Sequence, residues 1–119
     1  MLLIAGGTDD FKLPEVQFIF QHLKNVNLEF RLISQAVDVS YQELESEIIE
    51  CTQYYLIGGI EFNSSTWLSH CTTFAYSLTP RPELFFTPIL GIKYPLYFNS
   101  IQNSFTLISN ETELSHKMP

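Results

Sequence analysis

The chain is 119 residues long, 45% apolar, 14% aromatic and only 16% charged. That apolar content excludes an intrinsically disordered chain, and no apolar run reaches the ~18 residues of a membrane-spanning helix. Six Lys and Arg stand against thirteen Asp and Glu, giving −7, and the cations are scattered, which argues against nucleic-acid or anionic-membrane binding.

Leu2-Leu3-Ile4-Ala5 is a short continuous apolar run, the signature of a strand buried on both faces. It runs into a loop, Gly6-Gly7-Thr8-Asp9-Asp10. Pro14 suits the first turn of a helix, and Val16, Ile19, Phe20 and Leu23 recur at helical spacing, predicting a helix over about 13–24. Leu28 to Ile33 alternates as a second strand. Ser40 and Glu43 form a capping box ahead of a helix over about 41–51, with Leu44, Ile48 and Cys51 on its apolar face. Tyr54 to Ile57 is a third strand, again ending in a glycine pair, Gly58-Gly59. Asn63, Ser64, Ser65 and Thr66 are all N-cap types. Trp67, Leu68, Cys71, Phe74, Ala75 and Leu78 follow at helical spacing until Thr79-Pro80-Arg81-Pro82 stops the helix. Leu84-Phe85-Phe86 reads as a fourth strand and Leu96-Tyr97-Phe98 as extended. Residues 101–109 fit strand or helix equally. Asn110 stands three residues before Glu113, as the cap of a last short helix or the start of a fraying tail.

Strands alternating with helices predict one α/β domain over 1–119. Its expected form is three-layered: a mainly parallel sheet of four to five strands with helices on both faces, Rossmann-like or flavodoxin-like, with an irregular C-terminal third. Two cysteines make no disulfide framework, and the N-terminus lacks the features of a secretory signal, so the expected address is the reducing cytoplasm.

Ligands of open parallel sheets bind beyond the carboxyl ends of the strands, where the strand order reverses. If the first and third strands are neighbours, the loops Gly6, Gly7, Thr8, Asp9, Asp10 and Gly58, Gly59, Glu61, Ser64, Ser65 face one another across such a crevice. Glycines let a ligand approach the backbone, and Ser64, Ser65 and the helix after them offer N–H donors to a small anionic ligand. Asp9, Asp10 and Glu61 are the groups there for a cation, for sugar hydroxyls, or for acid–base work. The competing reading makes the glycine pairs turn devices and Asp10 a helix cap. No phosphate-binding fingerprint continues either pair, and no cofactor is specified. No His or Cys has metal-ligand spacing, His70 and the adjacent Cys71 point apart on their helix, and no nucleophile–base pair is identifiable.

Two surfaces suggest a protein partner or self-association. Glu43, Glu45 and Glu47 form an acidic helix face, either a dock for a basic partner or simply solvated. The aromatic supply exceeds the needs of a small core, and Phe85, Phe86, Tyr94, Tyr97 and Phe98 are the residues expected to form an exposed patch. Function is therefore expected to be binding, of a protein or a small molecule, with an enzyme using Asp9, Asp10 or Glu61 as the alternative.

The opening Leu2-Leu3-Ile4-Ala5-Gly6-Gly7-Thr8-Asp9-Asp10, a helix, and then Phe30-Arg31-Leu32-Ile33 resembles the N-terminal domain that precedes the catalytic part of ATP-grasp ligases. The resemblance covers about the first third of the chain. It implies a small α/β domain that packs against an ATP-binding part and helps form the substrate site. The nucleotide- and magnesium-binding parts of that family have no counterpart here, so what is implied is an accessory domain and not the ligase itself.

Overall fold

A computed structural model describes residues 1–34 and 40–118 of the chain. Among these, five strands alternate with five helices. The strands are β1 (Leu2–Ala5), β2 (Phe30–Ile33), β3 (Gln53–Gly58), β4 (Glu83–Pro88) and β5 (Thr106–Leu107). The helices are α1 (Gln17–Asn25), α2 (Tyr41–Glu50), α3 (Thr66–Ser77), α4 (Leu96–Asn99) and α5 (Glu111–Lys117). Every strand pair is parallel, and the order is β2-β1-β3-β4-β5. This is the flavodoxin-like order, whose reversal lies between β1 and β3. Among the described residues no helix is long and apolar enough to cross a membrane.

Alternation along the strands divides the core into two layers. Leu2, Ile4, Tyr55 and Ile57 pack with Ile19 and Leu23 of α1 and Leu114 of α5. Leu3, Ala5, Tyr54 and Leu56 pack with Leu44 and Ile48 of α2, Leu68 and Cys71 of α3, and Phe98 of α4. The result is the expected three-layer α/β fold, with Cys71 in the core.

Local chemistry sets the helix ends. Ser40 Oγ accepts from Glu43 N at 3.2 Å, Ser65 Oγ from Leu68 N at 3.3 Å, and Asn110 Oδ1 from Glu113 N at 2.9 Å. Each such cap contributes about 1 kcal/mol. Two residues past the end of α1 stands Asn27, whose φ of 55° lies in the left-handed region. The Leu28 and Asn27 N–H groups then donate back to Leu23 O at 2.9 Å and Lys24 O at 3.2 Å, a Schellman closure.

Three expectations change. The helix predicted over 13–24 begins only at Gln17, preceded by 3₁₀ turns at Asp10–Lys12 and Pro14–Val16. Leu13 is extended, with ψ 138°, because the ring of Pro14 disfavours a helical residue before it. Leu96-Tyr97-Phe98 is a helical turn and not an extended run. That turn drives Phe98 into the core, 4.6 Å from the ring of Phe86 and 5.1 Å from that of Phe62, so tertiary packing overrides β propensity. The C-terminal third is also more regular than expected: β5 completes the sheet and α5 caps its α1 side.

Candidate functional site

The β1/β3 reversal brings the two glycine loops together, but a side chain of the protein lies between them. Asp10 is almost fully buried. Its Oδ1 accepts from Ile60 N at 2.9 Å and its Oδ2 from Glu61 N at 3.3 Å. It therefore caps the 3₁₀ turn Ile60–Phe62 from fifty residues away and ties the β1 loop to the β3 loop. A Cβ on Gly59 would run into that carboxylate, and one on Gly7 would lie 2.7 Å from Asp10 Oδ2 and 2.8 Å from Glu61 Cδ. The glycines at these two positions permit loop-to-loop contact where a ligand was expected.

The other residues expected at this corner are also engaged or turned outward. Gly6 is buried, and its N–H donates to Ile33 O at 3.3 Å. Gly58 ends β3, and its carbonyl accepts from Ile89 N at 3.0 Å. Thr8 and Asp9 form an exposed turn. Ser64 N and Ser65 N both donate to Glu61 O, at 3.2 and 2.9 Å, and Ser65 Oγ serves the α3 cap. The Ser64 and Ser65 amides counted as anion donors are thus committed internally. Among the described residues no three His, Cys, Asp or Glu side chains gather as a metal site.

The open space lies one strand further along the same carboxyl edge. Beyond β4, a groove of ≈ 450 Å³ is lined by Thr87, Pro88, Ile89, Leu90, Gly91, Ile92 and Tyr94, with Glu15 and Ser109 at its sides. Gly91 has φ +80°, in the left-handed region that favours glycine, within the turn that Ile92 N closes by donating to Ile89 O at 3.3 Å. Leu90 is 97% exposed on that loop.

The groove's wall is held by a buried hydroxyl relay. Thr87 Oγ1 donates to Ile108 O at 2.6 Å, and Tyr55 OH lies 2.6 Å from the same Oγ1. A carbonyl can only accept, so the Thr87 proton is committed to Ile108, and Tyr55 must donate to Thr87. Burial pushes the Tyr55 hydroxyl well above its ordinary range, which keeps that proton in place. The relay crosses from β3 through β4 to the segment after β5. Sequence reasoning did not single out Thr87, Tyr55 or Ser109. The available signal was the Pro88–Gly91 interruption directly after a strand.

The two expected interaction surfaces are largely used within the chain. Glu47 pairs with Arg31 at 2.8 Å and Glu45 with His70 at 2.7 Å, while Glu43 sits exposed in the first turn of α2. Phe85, Phe86 and Phe98 are buried, and Tyr94 and Tyr97 are half-buried. Tyr94, Tyr97, Phe86 and Phe98 ring Phe62 at 5.1–6.4 Å between centroids. Of the expected aromatic patch, Phe85 and Phe86 are core because β4 is covered on both faces, and Phe98 because α4 turns it inward.

A comparison with protein-family models finds no match to this chain, and a comparison with curated proteins finds none either.

Proposed function

We propose that this chain is a non-catalytic α/β binding domain whose ligand sits in the groove beyond β4. The observation that carries the reading is the groove itself, ≈ 450 Å³ and open at the carboxyl edge of a parallel sheet. Small-molecule sites span roughly 300–1,000 Å³ and are mostly hydrocarbon with a few polar points. Here Pro88, Ile89, Leu90 and Ile92 supply hydrocarbon, and Glu15 and Ser109 supply the polar points. A carboxylate on the rim repels an anion. The chemistry suits a mainly apolar molecule carrying a hydroxyl or amine.

A second reading is docking of another protein through the same edge, favoured by Leu90 at 97% and Leu96 at 88% exposure. In the accessory form implied by the ATP-grasp resemblance, that edge would face a separate catalytic part.

The test is native mass spectrometry of the protein taken gently from its own source, beside Ser109→Trp, whose indole fills the groove. The expected result is a small-molecule adduct on the first and none on the second. An adduct retained by Ser109→Trp, or a bare chain in both cases, overturns the small-molecule reading. A co-purifying protein lost on Leu90→Asp supports the second.

A further inference from the structure

At the opposite end of the strands, where β3 and β4 start, two charges of the chain have no opposite charge. The chain passes from α2 into β3 and from α3 into β4 at this end, and a second groove of ≈ 400 Å³ lies between the two crossings. Glu83 N donates to Thr52 O at 3.0 Å and ties the crossings together. Ile49, Leu78, Pro80 and Pro82 line the groove with hydrocarbon, and Glu50 and Arg81 are its charged residues. Ile49 is 60% exposed, so this hydrocarbon meets solvent. Glu50 is the acid of α2 that the fold does not account for. Glu43 lies in the first turn, where the helix dipole favours it, Glu45 bonds His70 and Glu47 bonds Arg31. Glu50 closes the last turn, where a carboxylate faces the negative end of the dipole, and no basic residue stands in that turn to offset it. Among the described residues no cationic nitrogen comes within 4.0 Å of its carboxylate. The cations on its other side are occupied, Arg31 by Glu47 at 2.8 Å and the Met1 amine by Thr52 Oγ1 at 3.1 Å.

Arg81 is held in place without being neutralised. Its Nε donates to Tyr76 O at 2.6 Å, in the last turn of α3, and its Cζ lies 4.0 Å from the centroid of the Tyr76 ring. The two terminal nitrogens keep that fixed plane and bond nothing among the described residues. A guanidinium so fixed offers a carboxylate a parallel pair of donors at little entropic cost. Glu50 and Arg81 line one groove and form no ion pair with each other. We propose that this groove binds a small zwitterion with an apolar body, the class of an apolar amino acid or dipeptide. Its ammonium sits against Glu50 and the carbonyl end of α2, its carboxylate on Arg81, and its hydrocarbon on Ile49, Leu78 and the two prolines. A ligand of single charge fits less well. An acid without an amine is repelled by Glu50, and an amine without an acid by Arg81. The volume falls in the range of small-molecule sites. This site stands whether or not the groove beyond β4 is filled, since the two share no lining residue.

Calorimetric titration of the whole chain with L-leucine and with L-leucyl-L-leucine tests this. The expected result is saturable binding of at least one of them below about 10 mM. Leucinamide, which lacks the carboxylate, and 4-methylpentanoate, which lacks the ammonium, should each bind about tenfold more weakly. Glu50→Gln and Arg81→Gln should each weaken the zwitterion about tenfold, but Glu50→Gln should not weaken 4-methylpentanoate, nor Arg81→Gln leucinamide. Ser109→Trp, which fills the other groove, should leave the affinity unchanged. No saturable binding of either zwitterion, analogues that bind as well as the zwitterion, affinity indifferent to Glu50→Gln or Arg81→Gln, or binding lost in Ser109→Trp overturns the proposal. If a substituted chain fails to fold by circular dichroism, amide chemical shifts of the unsubstituted chain during the titration decide. Saturable shifts at Thr52 and Thr79 support the site, and shifts confined to Leu90 and Gly91, or none, overturn it.

Discussion

Two corners of one sheet edge differ in what fills them. At the β1/β3 corner, where chain reversal opens a crevice, Asp10 bonds Ile60 and Glu61 and closes it. At the β4 corner no reversal occurs, yet the Pro88–Ile92 loop leaves a groove of ≈ 450 Å³. Topology decides where backbone ends diverge, but individual side chains decide whether the gap stays open. A short carboxylate that finds two backbone N–H groups removes a site as surely as a large side chain would.

The contrast can be broken from the closed corner first. Gly59→Val thrusts a branched side chain into the Asp10 carboxylate. Overpacking together with two lost hydrogen bonds should cost about 3 kcal/mol or more, seen as a lower urea midpoint. Asp10→Ala leaves the Ile60 and Glu61 amides without their acceptor and should cost about 1–3 kcal/mol. Asp10→Asn should recover part of that, because only one of its two terminal atoms accepts. Hydrogen exchange at the Ile60 and Glu61 amides checks the mechanism, since both should lose protection in Asp10→Ala.

At the open corner the effects on stability are smaller. Thr87→Val preserves shape but strands Tyr55 OH and Ile108 O, for a loss of about 1–2 kcal/mol in the same unfolding assay. Leu90→Ser should leave stability within about 0.5 kcal/mol, because an exposed loop side chain buries nothing. Its effect should fall on binding alone, read by the loss of the adduct or partner. A measurable fall in stability would mean that Leu90 packs against something in solution and that the groove is not open.

A pH series separates both corners from the core behind them. Burial pushes the Cys51 and Cys71 thiols up from 9.0 to about 11 and about 12, and the Tyr97 hydroxyl up from 10.0 to about 12. The unfolded chain releases these protons first. Their stabilising contribution is therefore whole below pH 9.0 and is lost as pH rises from there through about 12. Urea midpoints between those limits should decline with the same slope in Asp10→Ala as in the unsubstituted protein, because no thiol lies at the closed corner.

The alternation of strand and helix was plain in the residues, and so was the cap at Ser40; Ser65 was legible as one of four N-cap types and Asn110 as one of two readings of the tail. Each of these signals is local. A cap bonds an amide three residues on, and an apolar stripe repeats within a turn or two, so the physics is complete within a short window. The apolar runs of β1, β3 and β4 were legible for a related reason: strands covered on both faces need hydrocarbon at nearly every position. Other features depended on contacts far apart in the chain. The strand order, the bond from Asp10 to the Ile60 amide, the Tyr55–Thr87–Ile108 relay and the turn that buries Phe98 each join residues that no sequence window holds together. An aspartate after a glycine pair looks the same whether it faces solvent, a ligand or a backbone amide. Only the tertiary structure decides which, because the free energy of a buried carboxylate is set by the donors that surround it in space.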